Sequence, residues 1–214
     1  MNLLHTSDTH GDFPTAYYRI KDPFDVWVDS GDFFPNAAET RPVDPAVERD
    51  FQVAWLRAKV EPFGRWLNGR PWLYTPGNHD FVDIGEIAAE FGIRAHNLCE
   101  SPFDLDGERF VGFREIPYLF GEWVGEVHDF EDVLDRVFAH NPTVLVSHSP
   151  PAGILDGIPP NRYGIPSLTQ RMAYHSHRIH TNLFGHIHVT GGAETTEMGI
   201  RFFNGATHVR IIKV

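Results

Sequence analysis

Cysteine is almost missing from this 214-residue chain. Its single thiol, Cys99, has no second cysteine to pair with, which excludes the disulfide framework of small secreted domains and favours a reducing compartment. Long apolar runs are missing too: none reaches the ~18 residues that a membrane-spanning helix needs. The opening Met1-Asn2-Leu3-Leu4-His5 turns polar within a few residues and has neither the basic nor the long apolar stretch of a secretory leader. The expected location is the cytoplasm, with no membrane partner. Basic charge is scarce as well, 18 Lys and Arg against 29 Asp and Glu, a net charge of -11. A broad nucleic-acid-binding surface neutralises many phosphates with Lys and Arg, so this balance argues against one. What is present, 42% apolar residues with 17 Phe among them, excludes a disordered chain. No linker or break in composition divides it, and residues 1–214 read as one domain.

Strand-like and helix-like segments alternate, the pattern of βαβ units. Leu3 to Thr6 and Val26 to Val28 predict short strands that deliver Asp8 and Asp32 at their ends. Between Pro45 and Leu67 the positions Val47, Phe51, Ala54, Trp55, Ala58 and Leu67 recur near helical spacing, predicting an amphipathic helix that covers the sheet and that Pro62 bends or splits. Trp72 to Thr75 is the next strand, ended by Pro76-Gly77. A helix from Ile84 to Phe91, a strand from Ile93 to Leu98 and a hairpin from Phe103 to Phe113 turning at Asp106-Gly107 follow. Arg114 to Glu126 reads as a loop near the site. Phe130 to His140 is helical and Thr143 to Val146 is a buried strand. Pro150 to Pro166 is an irregular loop, and Ser167 to His175 is a helix with Ser167 as its N-cap. Thr181 to Phe184 is the last strand before a loop. Ile200 to Phe203 and Val209 to Val214 are expected to be antiparallel strands closing a second sheet.

Along this frame lie five islands of metal-ligand chemistry: Asp8-Thr9-His10, Gly31-Asp32, Gly77-Asn78-His79-Asp80, Ser147-His148 and Gly185-His186-Ile187-His188. Asp, Asn and neutral His are the donors that suit borderline cations such as Mn, Fe, Ni and Zn. Loops after parallel strands converge at one edge of an α/β sheet, which brings scattered islands together. Two residues apart at a strand end, Asp8 and His10 point to the same side and can share one cation, and His186 and His188 repeat the spacing. Any one Asp-x-His is commonly a hydrogen-bonded surface turn; five such islands in order, each beside a glycine or a strand end, are not explained by coincidence.

Together the islands resemble the motif of the calcineurin-like metallophosphoesterases, D-x-H, G-D, G-N-H-D/E, H and G-H-x-H, from Asp8 to His188. The resemblance implies an α/β fold, a four-layer α/β/β/α sandwich with a dinuclear metal site at the C-terminal edges of the strands. It implies two divalent metal ions, one on Asp8, His10 and His188 and the other on Asn78, His148 and His186, with Asp32 bridging both. The chemistry implied is attack on a phosphoester by a metal-bridging hydroxide. His79, beside Asn78, is then placed to protonate the leaving alkoxide, with Asp80 to orient it. A general acid matters most for leaving groups of high pKa, so small phosphodiesters are the expected substrates, cyclic nucleotides or related nucleotides among them. The alternatives are a phosphomonoesterase acting on nucleotides or sugar phosphates, and a non-catalytic metal-binding scaffold.

Two departures narrow the resemblance. Gly31-Asp32 is followed by Phe33-Phe34-Pro35, not by the D-R-G of the protein Ser/Thr phosphatases, and the capping domain and basic balance of the DNA-repair nucleases are absent. The ending Leu183 to His188, with Gly191 and Phe203-Asn204-Gly205-Ala206, is similar to compact members acting on small phosphodiesters. Oligomeric state stays open.

Other chemistry-bearing residues are expected to be structural. His175, His177 and His180 mark a polar helix end, His208 a surface or hydrogen-bonded position, and Cys99 a small, partly buried side chain. Tyr118, Phe120 and Trp123 either pack over the sheet edge or stack on a nucleobase. Arg114 and Arg162 either meet a substrate phosphate or are solvated.

Overall fold

The computed structural model describes residues 1–12, 20, 23–37 and 42–214. The first half of the chain runs through β1 (Asn2–Thr6), β2 (Val26–Asp29), α1 (Pro45–Leu67), β3 (Trp72–Tyr74), α2 (Ile84–Glu90) and β4 (Ala95–Asn97). Next come β5 (Phe103–Leu105), β6 (Glu108–Phe113), β7 (Ile116–Pro117), β8 (Glu126–Val127), α3 (Glu131–Ala139) and β9 (Val144–Ser147). The remainder is β10 (Gly157–Ile158), β11 (Asn161–Arg162), α4 (Pro166–His175), β12 (Thr181–Phe184), β13 (Glu194–Glu197), β14 (Ile200–Asn204) and β15 (Val209–Lys213).

Two sheets carry the fold. The first has the order β15-β1-β2-β3-β4, the second β13-β14-β12-β9-β6-β5. In each, the inner strands are parallel and antiparallel strands lie at the edges: β15 against β1, β13 against β14 and β5 against β6. Such strands are covered on both faces, which is why they read as continuous apolar runs. Alternate residues then serve different layers. Leu3, Val26, Val28 and Leu73 meet Phe110, Val144, Val146, Leu183 and Phe203 between the sheets. Trp27, Trp72 and Tyr74 face α1 and α2, with the Trp27 and Trp72 rings stacked at 4.3 Å. Leu145, Phe184 and Phe202 pack with Leu134, Leu168 and Met172 of α3 and α4. These three apolar layers make the chain a four-layer α/β/β/α sandwich.

Several expectations need correction. β15 does not close the second sheet; it pairs antiparallel with β1 in the first, while β14 lies parallel to β12. The link between them crosses from sheet to sheet, where Ala206 bridges Ser7 and the Thr207 N–H donates to the Ser7 carbonyl at 3.0 Å. Local sequence favours a hairpin, but the two-sided burial of Ile211 and Ile212 is satisfied only beside β1. Along α1 the buried positions are Glu48, Gln52, Leu56, Val60, Phe63 and Leu67, whereas Val47 and Phe51 are exposed at 53% and 38%. Pro62 does not split this helix, because Phe63 and Leu67 hold its last turn on the core. Helix α4 starts at Pro166 without a side-chain cap, so Ser167 lies inside its first turn. The fourth strand is shorter than expected, Ala95–Asn97. The hairpin turns at Asp106-Gly107 as expected, both residues having positive φ.

Candidate metal centre

Strands β1, β2, β3, β9 and β12 all end at one edge of the sandwich, and each is followed by one of the five islands. The islands leave their strands sharply. Asp8, His10, Asp32 and His186 have φ of 52°, 44°, 54° and 66°. Asp8 and His10 therefore converge through left-handed turns, not through strand alternation. Two glycines are required by close approach: a Cβ on Gly77 would strike the Asp32 carboxylate, and one on Gly185 would strike Ser7 Oγ and the Asp8 carboxylate.

Two clusters of donor atoms result, Asp8 with His10 and His188, and Asp32 with His148 and His186, the ligand atoms of each lying within 4.8 Å of one another. His186 and His188 thus part to different clusters, because the turn between them aims the two rings apart. His188 Nε2 is 3.0 Å from Asp8 Oδ1, and the other Asp8 oxygen accepts from Ser7 Oγ at 2.6 Å and the His186 N–H at 2.9 Å. Asp32 Oδ2 stands between the clusters, 3.9 Å from His10 Nε2 and 3.3 Å from His148 Nε2. Asn78 Oδ1 joins the second cluster at 3.0 Å from His148 Nε2. His148 is fully buried and its Nδ1–H donates to the Ser30 carbonyl at 2.8 Å, which aims Nε2 at Asp32 and Asn78.

The electrostatics are those of a site built for cations. Burial disfavours the charge on Asp32, yet His148 above all, then His79 and His10, hold its carboxyl well below the usual range. Burial likewise works against a charged His148, but the Asp32 carboxylate beside it pushes the ring up to about 10. His186, by contrast, is pushed down to about 4 by burial and by His148. Acceptor oxygens and imidazole nitrogens that converge in this way fit divalent ions, and their mixed N/O character fits Mn, Fe, Ni or Zn.

His79 sits beside the clusters. Its backbone N–H donates to Asp32 Oδ1 at 2.8 Å, and its ring Nε2 lies 4.0 Å from Asp32 Oδ2. Burial holds the ring below the ordinary histidine value. Asp80 does not orient it: the buried Asp80 carboxylate accepts from the backbone N–H groups of Phe34 at 3.0 Å and Gly77 at 2.7 Å, tying the island to the segment after β2. The ring is met instead by Asn36, whose Oδ1 is 3.0 Å from His79 Nδ1, and by Trp123, tilted over it with centroids 4.0 Å apart. Trp123 is held by a tight loop in which five successive backbone N–H groups, Leu119 to Trp123, donate to the Glu126 carboxylate. Arg114 is spent on the carbonyls of Gly77 and Asp80, and Arg162 on Asp156.

Three other histidines make contacts away from the clusters. His180 pairs with Glu108 at 2.7 Å, His175 packs on Phe138, and His208 donates to the Ala206 carbonyl. Cys99 is half-buried, and desolvation pushes its thiol up. No described helix is long and apolar enough to cross a membrane. Sequence reasoning missed Asn36, Gln52 and Asp29. Asp29 is a buried carboxyl pushed well up by burial, which accepts from Thr6 Oγ1 at 2.5 Å and the Gly31 N–H at 3.0 Å. Its place at the end of a buried strand, beside the Gly31-Asp32 island, was the available signal.

The family model of the calcineurin-like phosphoesterases matches residues 1–190. Among curated proteins none matches. The chain belongs to the calcineurin-like phosphoesterase family, and with that membership comes metal-dependent phosphoester hydrolysis.

Proposed function

We propose that this calcineurin-like phosphoesterase hydrolyses small phosphodiesters, nucleotides among them, with His79 as the acid that protonates the leaving oxygen. Asp8, His10 and His188 would hold one divalent ion and Asn78, His148 and His186 the other, with Asp32 shared between them. When bound, the two ions supply a water nucleophile near neutral pH and neutralise charge on the phosphoryl oxygens. The protein's own part is to fix those donors and to present a proton. His79 Nε2 faces the same space as Asp32 Oδ2 while Nδ1 is turned away to Asn36, so the ring can act on a group lodged at the clusters.

That arrangement of His79 is the observation that carries the reading, since an alkoxide leaving group of high pKa departs slowly without a proton. A diester is favoured over a monoester by charge. A phosphate monoester arrives as a dianion and calls for added cations, and among the described residues the two arginines considered for that role, Arg114 and Arg162, are committed to partners within the protein. The test is a panel of phosphomonoesters and of linear and cyclic phosphodiesters, assayed with added Mn and again after EDTA treatment. Diester turnover that exceeds monoester turnover and disappears with EDTA is expected. Negligible rates on every ester, unaffected by metal, would mean a scaffold, and a monoester preference would reverse the substrate assignment.

A further inference from the structure

Resting on the reading of His79 as proton donor, we propose that Asn36 is a positioning residue for that donation, and that α1 holds the pair in register through Gln52 and Glu48. An amide oxygen only accepts, so the 3.0 Å contact of Asn36 Oδ1 with His79 Nδ1 keeps a proton on Nδ1 and turns Nε2 to the clusters. The opposite amide orientation would make Nδ1 the acceptor and undo that alignment. With the accepting orientation the proton count closes. As the bond from phosphorus to the leaving oxygen breaks, that oxygen takes a proton from Nε2. The ring stays behind neutral, still donating Nδ1–H to Asn36, and solvent returns the proton.

Asn36 and His79 sit on separate loops, one after β2 and one after β3, so something must set the distance between them. Helix α1 does this with the two polar residues of its buried face. Glu48, 4% exposed, accepts the N–H of Ala37 at 2.7 Å, next to Asn36. One turn on, Gln52 is fully buried; its amide donates to the His79 carbonyl at 2.7 Å and its oxygen accepts from the Phe81 N–H at 2.8 Å. A helix that only covered the sheet would place apolar side chains here, since a buried carboxylate or amide is costly unless its hydrogen bonds are made. Both residues make theirs to the backbone beside the donor pair. Trp123 closes the other face of the imidazole and limits its tilt.

The test uses Mn-loaded protein and a series of methyl aryl phosphodiesters of graded leaving-group pKa, ending in an alkyl diester. Asn36→Ala is expected to lower kcat on the alkyl diester by about 10–100-fold, and far less on the p-nitrophenyl ester, with metal content and melting temperature near those of the wild type. Asn36→Asp, which keeps an accepting oxygen, recovers most of the loss. Gln52→Met shifts the series in the same sense, and the double variant is no worse than Asn36→Ala, because the two act on one bond. Equal losses along the whole series, or no recovery by Asp, overturn the proposal; if Gln52→Met does not fold, the Asn36 variants decide. His79→Ala separates the two levels. If it leaves the leaving-group dependence unchanged, the proton-donor reading falls; if it steepens that dependence while Asn36→Ala does not, only the positioning role falls.

Discussion

His5 lies three residues before the first ligand island and shows how burial, seconded by the Arg210 charge, sets a side chain's chemistry here. It is fully buried on β1, with Nε2 3.0 Å from Ser30 Oγ, and desolvation pushes its ring down to about 3. The unfolded chain takes up this proton near the ordinary histidine value of about 6.5. Between those two values the unfolded state binds more protons, so the stability is whole above pH ~6.5 and falls as the pH drops through the window, by roughly 1 kcal/mol per unit. Urea unfolding at pH 7.5 and 5.5 checks this. His5→Gln should lose about 1 kcal/mol less than the wild type on acidification, whereas equal losses would mean that His5 is not held neutral. At this scale the islands were legible because metal donors recur in fixed short spacings, each beside a glycine or a strand end. Asn36 was not legible, since its partner is 43 positions away and nothing near it in sequence marks the contact. Asp80 was misread for the reverse reason: adjacency to His79 suggested a contact that its buried carboxylate makes with backbone N–H groups instead.

Helix α1 carries the lesson at the scale of elements. Its existence and its bounds, Pro45 and Leu67, were readable from helical spacing, and the structure adds the caps, Asp44 accepting from the Ala46 N–H and Asn68 in the left-handed region. Its phase was not. Large apolar residues such as Phe51 and Trp55 mark one stripe, while the helix turns a neighbouring stripe inward, where Glu48 and Gln52 have backbone groups to hold. A pair of substitutions measures the phase. Leu56→Ala should cost about 3 kcal/mol of unfolding free energy by leaving a cavity against the Trp27 and Phe63 layer, and Val47→Ala should change it by less than about 0.5 kcal/mol. Comparable losses at both positions would put the helix in the other phase. Strand β13 escaped sequence reading because Glu194-Thr195-Thr196-Glu197 is a largely exposed edge with no apolar alternation. The inner strands were plain, being short, largely apolar runs followed within a few residues by an acid, an amide or a histidine.

Across the whole molecule, each cluster draws on both sheets. Asp8, His10, Asp32 and Asn78 follow strands of the first sheet, while His148, His186 and His188 follow strands of the second. Neither cluster exists unless the sheets are docked, so cations that bind them stabilise the sandwich as a unit. The last strands join in this. β14 and β15 lie beyond the family match, yet one extends each sheet, and the link between them touches Ser7 immediately before Asp8. The sandwich was foreseeable from the family resemblance that the islands carry, whereas the βαβ rhythm pointed only to an α/β fold, and the crossing of β15 depends on burial that no local pattern records. The most direct measurement of the central claim is a titration of EDTA-stripped protein with Mn, following hydrolysis of bis-p-nitrophenyl phosphate. Activity that rises from zero and levels off at two equivalents of metal per chain is the expected result; activity that needs no metal, or is complete at one equivalent, would contradict a dinuclear phosphodiesterase.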